Sequence, residues 1–501
     1  MKRILLFALA LMAVMPEAKA QGIDDRAAYF FNTDTDLWYS SRNAAGLAHS
    51  DMALWRNVAL GYDMQSGKFK DAWGAQSQSS LSLGGDMLMD IEGFKVAAAL
   101  NLERNRLSKS RYNTSLYEVS WDMPYYVALN SDDPFGWKQS HANVDVSAAT
   151  PLILDDMLSL GVNFGLDMKG ASKNVTPKCR YRALELGIMP SATFAIDEEN
   201  IAGLSVGYKF CPSRSALSVS DGSFEVAFLD GLGHFLTDWV GGDFGLKPVS
   251  YTAGALALAA EYSHLGDASD WLLELTFDKW RTTVEEDEAL RGTVDKFVTG
   301  FTAKGLFGEA RSRKLTFGLQ HNLNYWMDGV NARTKGANNQ LDAILDYTAY
   351  TGADKKGEAF DWTFGLGTEF HMLSYKRIVP DGKFSVVNAL PYAFIGKNIL
   401  LAQEQSLLAR LGLGYNFSAG SKYSYDSESD TTGNYIVNYM YDDEVDYLGS
   451  YYLRTTLSAD YTYRLNTMLA PYASLGMGVL TPMGGASGSR FIMSFKVGVL
   501  F

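Results

Sequence analysis

The chain ends on Arg490-Phe-Ile-Met-Ser-Phe-Lys-Val-Gly-Val-Leu-Phe501, and this stretch decides the fold class. Its side chains alternate with a period of two, which is the period of a β-strand. The apolar face consists of Phe491, Met493, Phe495, Val497, Val499 and Phe501. The other face carries Ser494, Lys496 and Gly498 beside two aliphatic residues. A strand with one wholly apolar face requires either lipid or a protein core against that face.

This last strand resembles the closing strand of bacterial outer-membrane β-barrels, which typically ends on phenylalanine and turns its apolar face to lipid. The resemblance implies a protein of the outer membrane, with membrane lipid around it. It also implies recognition by the barrel-assembly machinery through the strand that ends at Phe501. For this strand alone, the alternative is a buried edge strand of a soluble β-sandwich.

The first twenty residues have the features of a secretory signal peptide. Lys2 and Arg3 precede an apolar run over residues 4–14, and Ala18-Lys19-Ala20 is a cleavage site of small residues. Removal of residues 1–20 takes away three basic residues and one acidic residue. The 44 basic and 57 acidic side chains then become 41 and 56, a formal charge of −15. A chain this acidic is not expected to bind nucleic acid.

The composition favours a membrane barrel over a helical membrane protein. No segment beyond the signal peptide has the roughly 18 uninterrupted apolar residues of a membrane helix. The chain contains 28 Tyr, 27 Phe, 10 Trp and 47 Gly, which suits aromatic side chains at membrane interfaces and glycine in a lumen. No linker rich in Pro, Ser or Gly divides the chain, so residues 53–501 are predicted to form one barrel domain.

Alternating segments separated by turn residues recur along this domain. The candidate strands lie at about 53–64, 76–89, 94–105, 137–151, 158–169, 181–196, 201–211, 250–264, 270–283, 292–308, 314–329, 340–350, 360–376, 383–397, 404–418, 450–464, 467–481 and 490–501. Most are far longer than the roughly 5 or 6 residues usual in globular sheets. They predict an all-β, transmembrane, antiparallel β-barrel. Some segments could be hairpins outside the wall. With both termini expected in the periplasm, we expect an even number of strands between 14 and 18, with 16 the best estimate.

The two faces of these segments predict which residues line the lumen. In the segment 270–283, Trp271 and Leu275 lie on the apolar face, whereas Glu274 and Asp278 lie on the polar face. A soluble sandwich would rarely carry Tyr and Trp at both ends of its apolar face, as many of these segments do. The predicted lumen-lining residues are Glu274, Asp278, Arg410, Arg454, Asp460, Arg464 and Lys496.

The connections between the segments predict the orientation of the barrel. Short turns, such as those at 90–93 and 197–200, should be periplasmic, whereas long loops should be extracellular. The predicted long loops are 106–136, 212–249, 330–339 and 419–449. Within the second of these, the apolar residues 228–241 could form either a short helix at the barrel mouth or a packed extracellular loop.

Residues 21–52 precede the barrel and lack a clear period. Within them, Ser40-Ser-Arg-Asn-Ala-Ala-Gly-Leu-Ala48 is similar to the Asn-Pro-Ala-Gly-Leu-Ala element before the first strand of FadL-like and PorV-like proteins, with Ala44 in place of proline. In the region from Tyr29 to Leu47 in particular, the chain resembles an uncharacterised class of outer-membrane barrels from Bacteroidota. The resemblance implies a periplasmic segment or a plug inside the barrel. A FadL-like exit through the wall would require a bulge, for which Gly84-Gly85 is a candidate.

Cys179 and Cys211 are the only cysteines and flank a predicted hairpin, so we expect a disulfide at its extracellular end, with two free thiols as the alternative. No metal site and no cofactor are predicted. The acidic residues of 422–449 favour a hydrated surface loop over a calcium site, because they do not follow the EF-hand pattern.

The six histidines stand in no known catalytic motif, so an enzyme is not expected. His141 and His371 are nevertheless predicted to face the lumen, as in barrel hydrolases that assemble Ser, His and an amide. The leading expectation is a passive channel or transporter for a small solute or a hydrophobic compound. The alternative is a non-conducting barrel that presents its extracellular loops to an outer-membrane or surface protein.

Overall fold

The computed structural model describes most of the chain after residue 24. The described residues are 25–52, 54–119, 126–129, 134–173, 175, 177–219, 225–230, 235–241, 244–308, 310–329, 334–352, 360–378, 382–425, 443–466, 469–484 and 486–501. The predicted signal peptide and residues 426–442 of the acidic loop lie outside this part. Among the described residues, none of the helices has the length and apolar character needed to cross a bilayer.

Two helical elements precede the strands: α1 (Arg26–Thr35) and a 3-10 helix (Ala44–His49). A further helical segment spans residues 443–448. The strands are β1 (Trp55–Gly67), β2 (Ser77–Ile91), β3 (Phe94–Ser110), β4 (Tyr126–Leu129), β5 (Phe135–Ala149), β6 (Leu158–Lys173), β7 (Lys178–Ala195), β8 (Asn200–Val219), β9 (Glu225–Asp230), β10 (Phe235–Gly241), β11 (Phe244–Leu265), β12 (Ser269–Glu286), β13 (Ala289–Phe307), β14 (Arg313–Asp328), β15 (Thr334–Thr351), β16 (Trp362–Arg377), β17 (Gly382–Ala402), β18 (Gln405–Tyr425), β19 (Tyr451–Tyr463), β20 (Ala470–Gly484) and β21 (Arg490–Leu500).

Eighteen of these strands form the wall of a closed β-barrel, which confirms the all-β, antiparallel barrel of the predicted fold class. Each wall strand pairs with the next one along the chain, and β1 pairs with β21 from Asn57 opposite Leu500 to Gly67 opposite Arg490. The closure leaves no free edge in the wall. The wall strands have between 11 and 22 residues.

The best estimate of 16 strands is wrong, because all eighteen candidate segments lie in the wall and none forms a hairpin outside it. The strands also extend further than the alternation indicated. Most of the predicted loop 330–339 belongs to β15, which begins at Thr334. Near the barrel rim, polar side chains no longer alternate clearly with apolar ones, although the backbone hydrogen bonds continue.

The connections divide the barrel into a short-turn end and a long-loop end. At the short-turn end, Glu92 (φ 54°) and Gly93 (φ 87°) connect β2 to β3, and the positive φ angles fit the tight turn of a two-residue hairpin. At the long-loop end, β4, β9 and β10 pair into a separate three-stranded sheet. Residues 225–230 and 235–241 are strands of this sheet, so the short-helix alternative for residues 228–241 is wrong.

Gly84 and Gly85 do not form the predicted bulge. Strand β2 pairs in unbroken register with β1 and with β3 on both sides of these glycines. Without an extra residue to interrupt the ladder, the wall stays closed at this point.

The outer face of the wall is apolar around the whole barrel. Large exposed hydrophobic side chains on seven different strands include Leu60, Ile188, Leu204, Leu275, Leu366, Leu413 and Leu457, and Leu366 is 61% exposed. The opposite face of the same strands holds buried polar residues such as Thr276, Asp278 and Asp460. The barrel is thus polar inside and apolar outside, the reverse of a soluble protein.

Candidate functional site: the lumen and the segment inside it

Residues 25–52, called the N-terminal segment below, lie inside the barrel at its short-turn end. Helix α1 begins at this end, where its N-cap Asp25 accepts a hydrogen bond from Ala27 N (2.5 Å). The same carboxylate accepts a hydrogen bond from Arg464 Nη2 (3.3 Å) in the turn after β19. The start of the segment is therefore fixed to the rim of the wall.

Arg26, the first residue of α1, is held by aromatic rings as well as by charge. Its guanidinium lies 4.9 Å from the ring of Tyr29, 4.5 Å from that of Phe30 and 4.4 Å from that of Tyr472 on β20. Its Nε lies 3.9 Å from an Asp460 carboxylate oxygen. Attraction of a cation to several ring faces adds to this ion pair and anchors the helix to the wall.

The other side of α1 packs against strands β14 and β15. Phe31 contacts Tyr350 edge to face, with ring centroids 5.0 Å apart. Asp34 accepts hydrogen bonds from Lys314 Nζ (2.7 Å) and Tyr350 Oη (2.8 Å). Both faces of the helix are therefore bound to the wall.

The residues after α1 bind the wall through β11 and β12. Glu274 Oε2 accepts hydrogen bonds from Ser41 Oγ and Arg42 N, both at 2.9 Å. Arg42 also forms a two-point ion pair with Asp278, at 2.7 and 3.2 Å. Asn43 Nδ2 donates to Glu261 Oε2 (3.0 Å). We call the Arg42 pair with Asp278 the latch.

The 3-10 helix packs against the wall at a position that has no side chain, Gly161. A Cβ at Gly161 of β6 would lie 2.2 Å from Ala45 N, so only glycine permits this approach. Ala45 N donates to Ser191 Oγ (3.0 Å), and His49 Nε2 lies 3.0 Å from Thr193 Oγ1. Complementary shape thus adds to the polar contacts of the segment.

Burial shifts the acid–base behaviour of two residues in the N-terminal segment. It raises the pKa of Asp36, although hydrogen bonds from Ser50 and Tyr39 oppose the shift. Burial, together with the nearby Lys95 charge, lowers the pKa of His49. The docked segment therefore favours a neutral imidazole.

The predicted lumen residues fall into three groups. Glu274, Asp278, Asp460 and Arg464 contact the N-terminal segment directly, and Arg410 lies over the ring of Phe30 at 4.2 Å. Arg454 instead pairs with Glu369 of the wall, 2.9 Å away. Lys496 lies on β21 opposite Gly61 and Ser474, and its side chain packs beside Gly61.

Sequence reasoning missed the residues of the N-terminal segment that meet these carboxylates. Arg42 and Asn43 lie within the stretch that resembles the FadL-like element, but no periodicity marks their direction. Glu261 follows the alanine-rich face of β11, and Glu369 lies two positions before His371 on the same face of β16. For both Glu261 and Glu369, the sequence feature that could have predicted their role is a carboxylate on the lumen face of a strand.

The cavities of the described lumen include a lower chamber, a vestibule and two side cavities. The lower chamber, of about 460 Å³, lies between residues 38–47 and polar wall residues that include Asn143, Asp145 and Asn163. The vestibule, of about 500 Å³, lies at the long-loop end. Two side cavities of about 490 and 320 Å³ are both lined by Phe394 and Arg410, which separate the open lumen from the space beside α1.

Residues 111–119, the entrance loop, fold into the lumen at the long-loop end. Gln139 Nε2 donates to the carbonyl of Tyr117 (2.5 Å), and Asn105 Nδ2 donates to its hydroxyl (3.4 Å). Ser215 Oγ donates to the carbonyl of Ser115 (2.7 Å). The lumen is narrowed from both ends, by the N-terminal segment below and by the entrance loop above.

His141 and His371 are each bound to a carboxylate. His141 Nε2 lies 2.8 Å from Asp167, and His371 Nδ1 lies 2.5 Å from Asp342. Glu369 faces Arg454 and not His371. Within the described residues, no group of three or more His, Cys, Asp or Glu could hold a metal ion.

The predicted disulfide between Cys179 and Cys211 is wrong, and both thiols are free. Cys179 lies opposite Leu217, six residues along β8 from Cys211. Six strand residues span about 20 Å, whereas a disulfide requires Cα atoms within about 7 Å. Because β8 continues to Val219, the hairpin is longer than predicted, and Cys211 lies well below the rim.

Comparison with known proteins identifies a family without a known activity. The family described as a family of unknown function (DUF6850) matches residues 44–501. No curated protein matches the chain.

Several solved structures are similar to this chain at low identity. The siderophore receptor PiuA from Acinetobacter baumannii is 9% identical over 89% of this chain and 81% of its own, with a TM-score of 0.43. A Pseudomonas aeruginosa FadL homologue is 10% identical over 96% of both chains, with a TM-score of 0.35. CdiB from Acinetobacter baumannii is 8% identical over 90% of this chain, which spans 61% of CdiB, with a TM-score of 0.36.

Proposed function

We propose that this chain, which belongs to the DUF6850 family of unknown function, is a transporter for a small polar solute in the bacterial outer membrane. In this proposal, the N-terminal segment closes the short-turn end of the barrel at rest. The observation that carries the proposal is a polar lumen, inside an apolar wall, that is occupied at one end by a segment held through ion pairs.

The outer face supports placement in a membrane. Exposed leucine and isoleucine side chains on seven strands would face water in a soluble protein, at a cost of roughly 25 cal/mol for each Å² of apolar surface. Lipid removes this cost, and closed barrels satisfy all backbone hydrogen bonds within the wall. The short-turn end would then face the periplasm.

The lumen supports a polar solute over a hydrophobic one. The wall of the lower chamber carries amides and carboxylates, among them Asn143, Asn163 and Glu185. A hydrophobic solute would have to remove water from these groups without replacing their hydrogen bonds. The unbroken register of β2 also provides no side exit of the FadL type at Gly84-Gly85. The proposal assigns no catalytic role to the barrel.

Conductance in planar bilayers tests the proposal. The mature protein should carry little steady current, because the N-terminal segment fills the short-turn end. The double variant Glu274→Gln and Asp278→Asn removes two of its wall anchors and should increase the open-channel events about tenfold. The control Glu369→Gln alters a lumen carboxylate that pairs with Arg454 and should leave the current unchanged. A double variant as silent as the mature protein, although folded, contradicts transport through the lumen.

A second candidate is a non-conducting barrel that binds a protein partner. The separate sheet of β4, β9 and β10 favours it, because this sheet builds an ordered structure beyond the wall. Absence of current in every variant, together with a protein that co-purifies only while residues 225–241 are present, would support this candidate over transport.

A further inference from the structure

The vestibule differs from the lower chamber in the chemistry of its lining. It is enclosed by the long-loop ends of β1, β2, β3 and β5, together with residues 70–75, the entrance loop and Tyr447. It lies at the long-loop end, which is the side from which a solute enters in the proposed orientation. Its volume of about 500 Å³ admits a small molecule and excludes a folded protein.

Primary amides form a large part of the polar lining of the vestibule, beside six Lys, Arg, His, Asp and Glu side chains. Five of them line it: Gln65, Gln78, Asn105, Asn113 and Gln139. The Asn113 amide binds the backbone of its own loop, which leaves the other four to contact a ligand. Each amide offers two N–H donors and one carbonyl acceptor on the same side chain. Hydroxyl groups also donate and accept at one atom, so an amide-lined cavity matches a ligand that carries many hydroxyls.

Aromatic side chains supply the apolar part of the lining. Trp73, Tyr117, Trp137 and Tyr447 all border the vestibule. The ring of Tyr117 is fixed by hydrogen bonds at both its carbonyl and its hydroxyl. Flat rings of this kind pack against the C–H faces of a sugar, while the amides bind the hydroxyls at its edges.

Five of the six charged or titratable side chains of the vestibule are engaged by the protein, and the sixth, Glu118, is exposed. Arg490 donates to Gln65 Oε1 at 2.9 and 3.1 Å and to the carbonyl of Ala75 at 3.3 Å. Lys70 Nζ donates to the carbonyl of Asp71 (3.0 Å), and His141 is bound to Asp167. These contacts favour a neutral ligand over an ionic one, because an ion would have to displace them.

The entrance loop is built to hold this surface in place. Asn113 Oδ1 accepts hydrogen bonds from the backbone N–H groups of Ser115 (3.1 Å) and Leu116 (3.0 Å). Tyr112 Oη donates to Asp443 (3.2 Å) and connects the loop to the segment at 443–448. A preformed lining reduces the entropy that a ligand loses on binding.

We infer that the vestibule binds a neutral sugar, of disaccharide size or larger, through its amides and aromatic rings. The inference deepens the proposed transport and rests on it for the route that the sugar then takes. The sugar would enter at the long-loop end, bind beside Tyr117 and pass along the polar face of β5 and β6 into the lower chamber.

Intrinsic tryptophan fluorescence tests the binding, because Trp73 and Trp137 border the vestibule. The mature protein in detergent is titrated with maltose, cellobiose and lactose, and with glucosamine and gluconate as charged relatives. We expect a saturable change with at least one neutral disaccharide and at least tenfold weaker binding of both charged compounds. The absence of a saturable change with all three disaccharides, or tighter binding of a charged relative, overturns the inference.

Variants locate the site. Gln139→Leu and Trp73→Leu should each weaken disaccharide binding at least fivefold when measured by calorimetry. The control Gln320→Leu changes a lumen amide outside the vestibule and should bind as the mature protein does. Equal affinity of all variants overturns the assignment to the vestibule, and two separate vestibule variants guard against a folding defect in one.

The bilayer experiment separates this inference from the proposed function. If the double variant Glu274→Gln and Asp278→Asn conducts but no disaccharide binds, transport stands and the sugar assignment fails. If disaccharides bind at the vestibule but no variant conducts, the sugar site stands and transport fails.

Discussion

Arg42 and Asp278 join the N-terminal segment to the middle of β12 through two N–H···O hydrogen bonds of 2.7 and 3.2 Å. The Asp278 side chain is only 6% exposed, whereas that of Arg42 is 33% exposed. The carboxylate therefore depends on Arg42 for its charge partner, and removal of either group leaves the other poorly compensated. Substitution at this pair is therefore the most direct way to measure how strongly the N-terminal segment binds the wall.

The first prediction concerns this latch. Asp278→Asn should weaken docking of the segment by about 1–3 kcal/mol, since it removes a charge-assisted hydrogen-bond partner from Arg42. Trypsin should then cleave after Arg42 roughly tenfold faster in the folded barrel. The control Glu369→Gln should leave the cleavage rate unchanged. Equal rates in both variants would mean that the latch does not hold the segment.

The second prediction concerns the contact of the 3-10 helix with the wall. Gly161→Ala should push residues 44–46 away from β6, because the new Cβ would lie 2.2 Å from Ala45 N. Overpacking of this kind costs about 1–3 kcal/mol. The matched control is Gly165→Ala on the same strand face, where the nearest atom would be 3.8 Å away. Faster tryptic cleavage after Arg42 in the first variant, but not in the second, is the expected result.

The third prediction concerns pH. Because the pKa of His49 is lowered in the docked segment, docking is strongest above about pH 6.5, where the released imidazole is also neutral. Below this pH the released form takes up a proton that the docked form resists, so docking weakens. The raised pKa of Asp36 acts in the opposite direction in every variant.

His49→Gln isolates the contribution of the imidazole. Cleavage after Arg42 is measured between pH 7.5 and 5.5 with a protease active across this range. The difference in rate between the mature protein and His49→Gln should increase toward acid. A difference that stays constant with pH would contradict the role of His49.

The fourth prediction concerns Phe394 and Arg410, which stand between the two side cavities. Phe394→Ala should join these cavities and open a path beside α1, which increases the bilayer conductance severalfold while the segment stays docked. Phe364→Ala removes a phenyl ring from the outer face and should not alter the current. If the two variants conduct equally, Phe394 does not limit this path.

The fifth prediction concerns the two thiols. The oxidised and reduced proteins should have the same mass and electrophoretic mobility, because Cys179 and Cys211 lie about 20 Å apart along the hairpin. In the unfolded chain, both thiols should react with maleimide without prior reduction. A mass lower by two hydrogens, or a mobility shift on reduction, would contradict the register of β7 and β8.

The wall could be predicted from the sequence because each strand carries apolar and polar side chains on alternate residues. Phe495 and Lys496 show this directly, since their opposite characters assign opposite faces to neighbouring positions. The strand ends were less predictable. After Cys211, apolar and polar residues no longer alternate clearly, so the predicted strand ended there. Strand β8 continues for eight more residues to Val219, and the strand end predicted too early led to the incorrect disulfide.

Only the wall side of the candidate site could be predicted from the sequence. Glu274, Asp278 and Asp460 stand on the polar faces of their strands, so their direction followed from the period of two. Their partners did not, because a short helical segment inside a barrel can meet any of eighteen strands. The vestibule likewise combines β1, β5 and the entrance loop, which the sequence keeps far apart.

The sequence by itself determined a closed antiparallel wall with an apolar outside and a polar inside, because alternation is a local property of each strand. Only the tertiary structure decided which charges meet. Arg42 and Asp278 are 236 positions apart, and their contact depends on the order and tilt of all the strands between them. A local pattern can fix the direction of a side chain, whereas its partner is set by closure of the whole barrel.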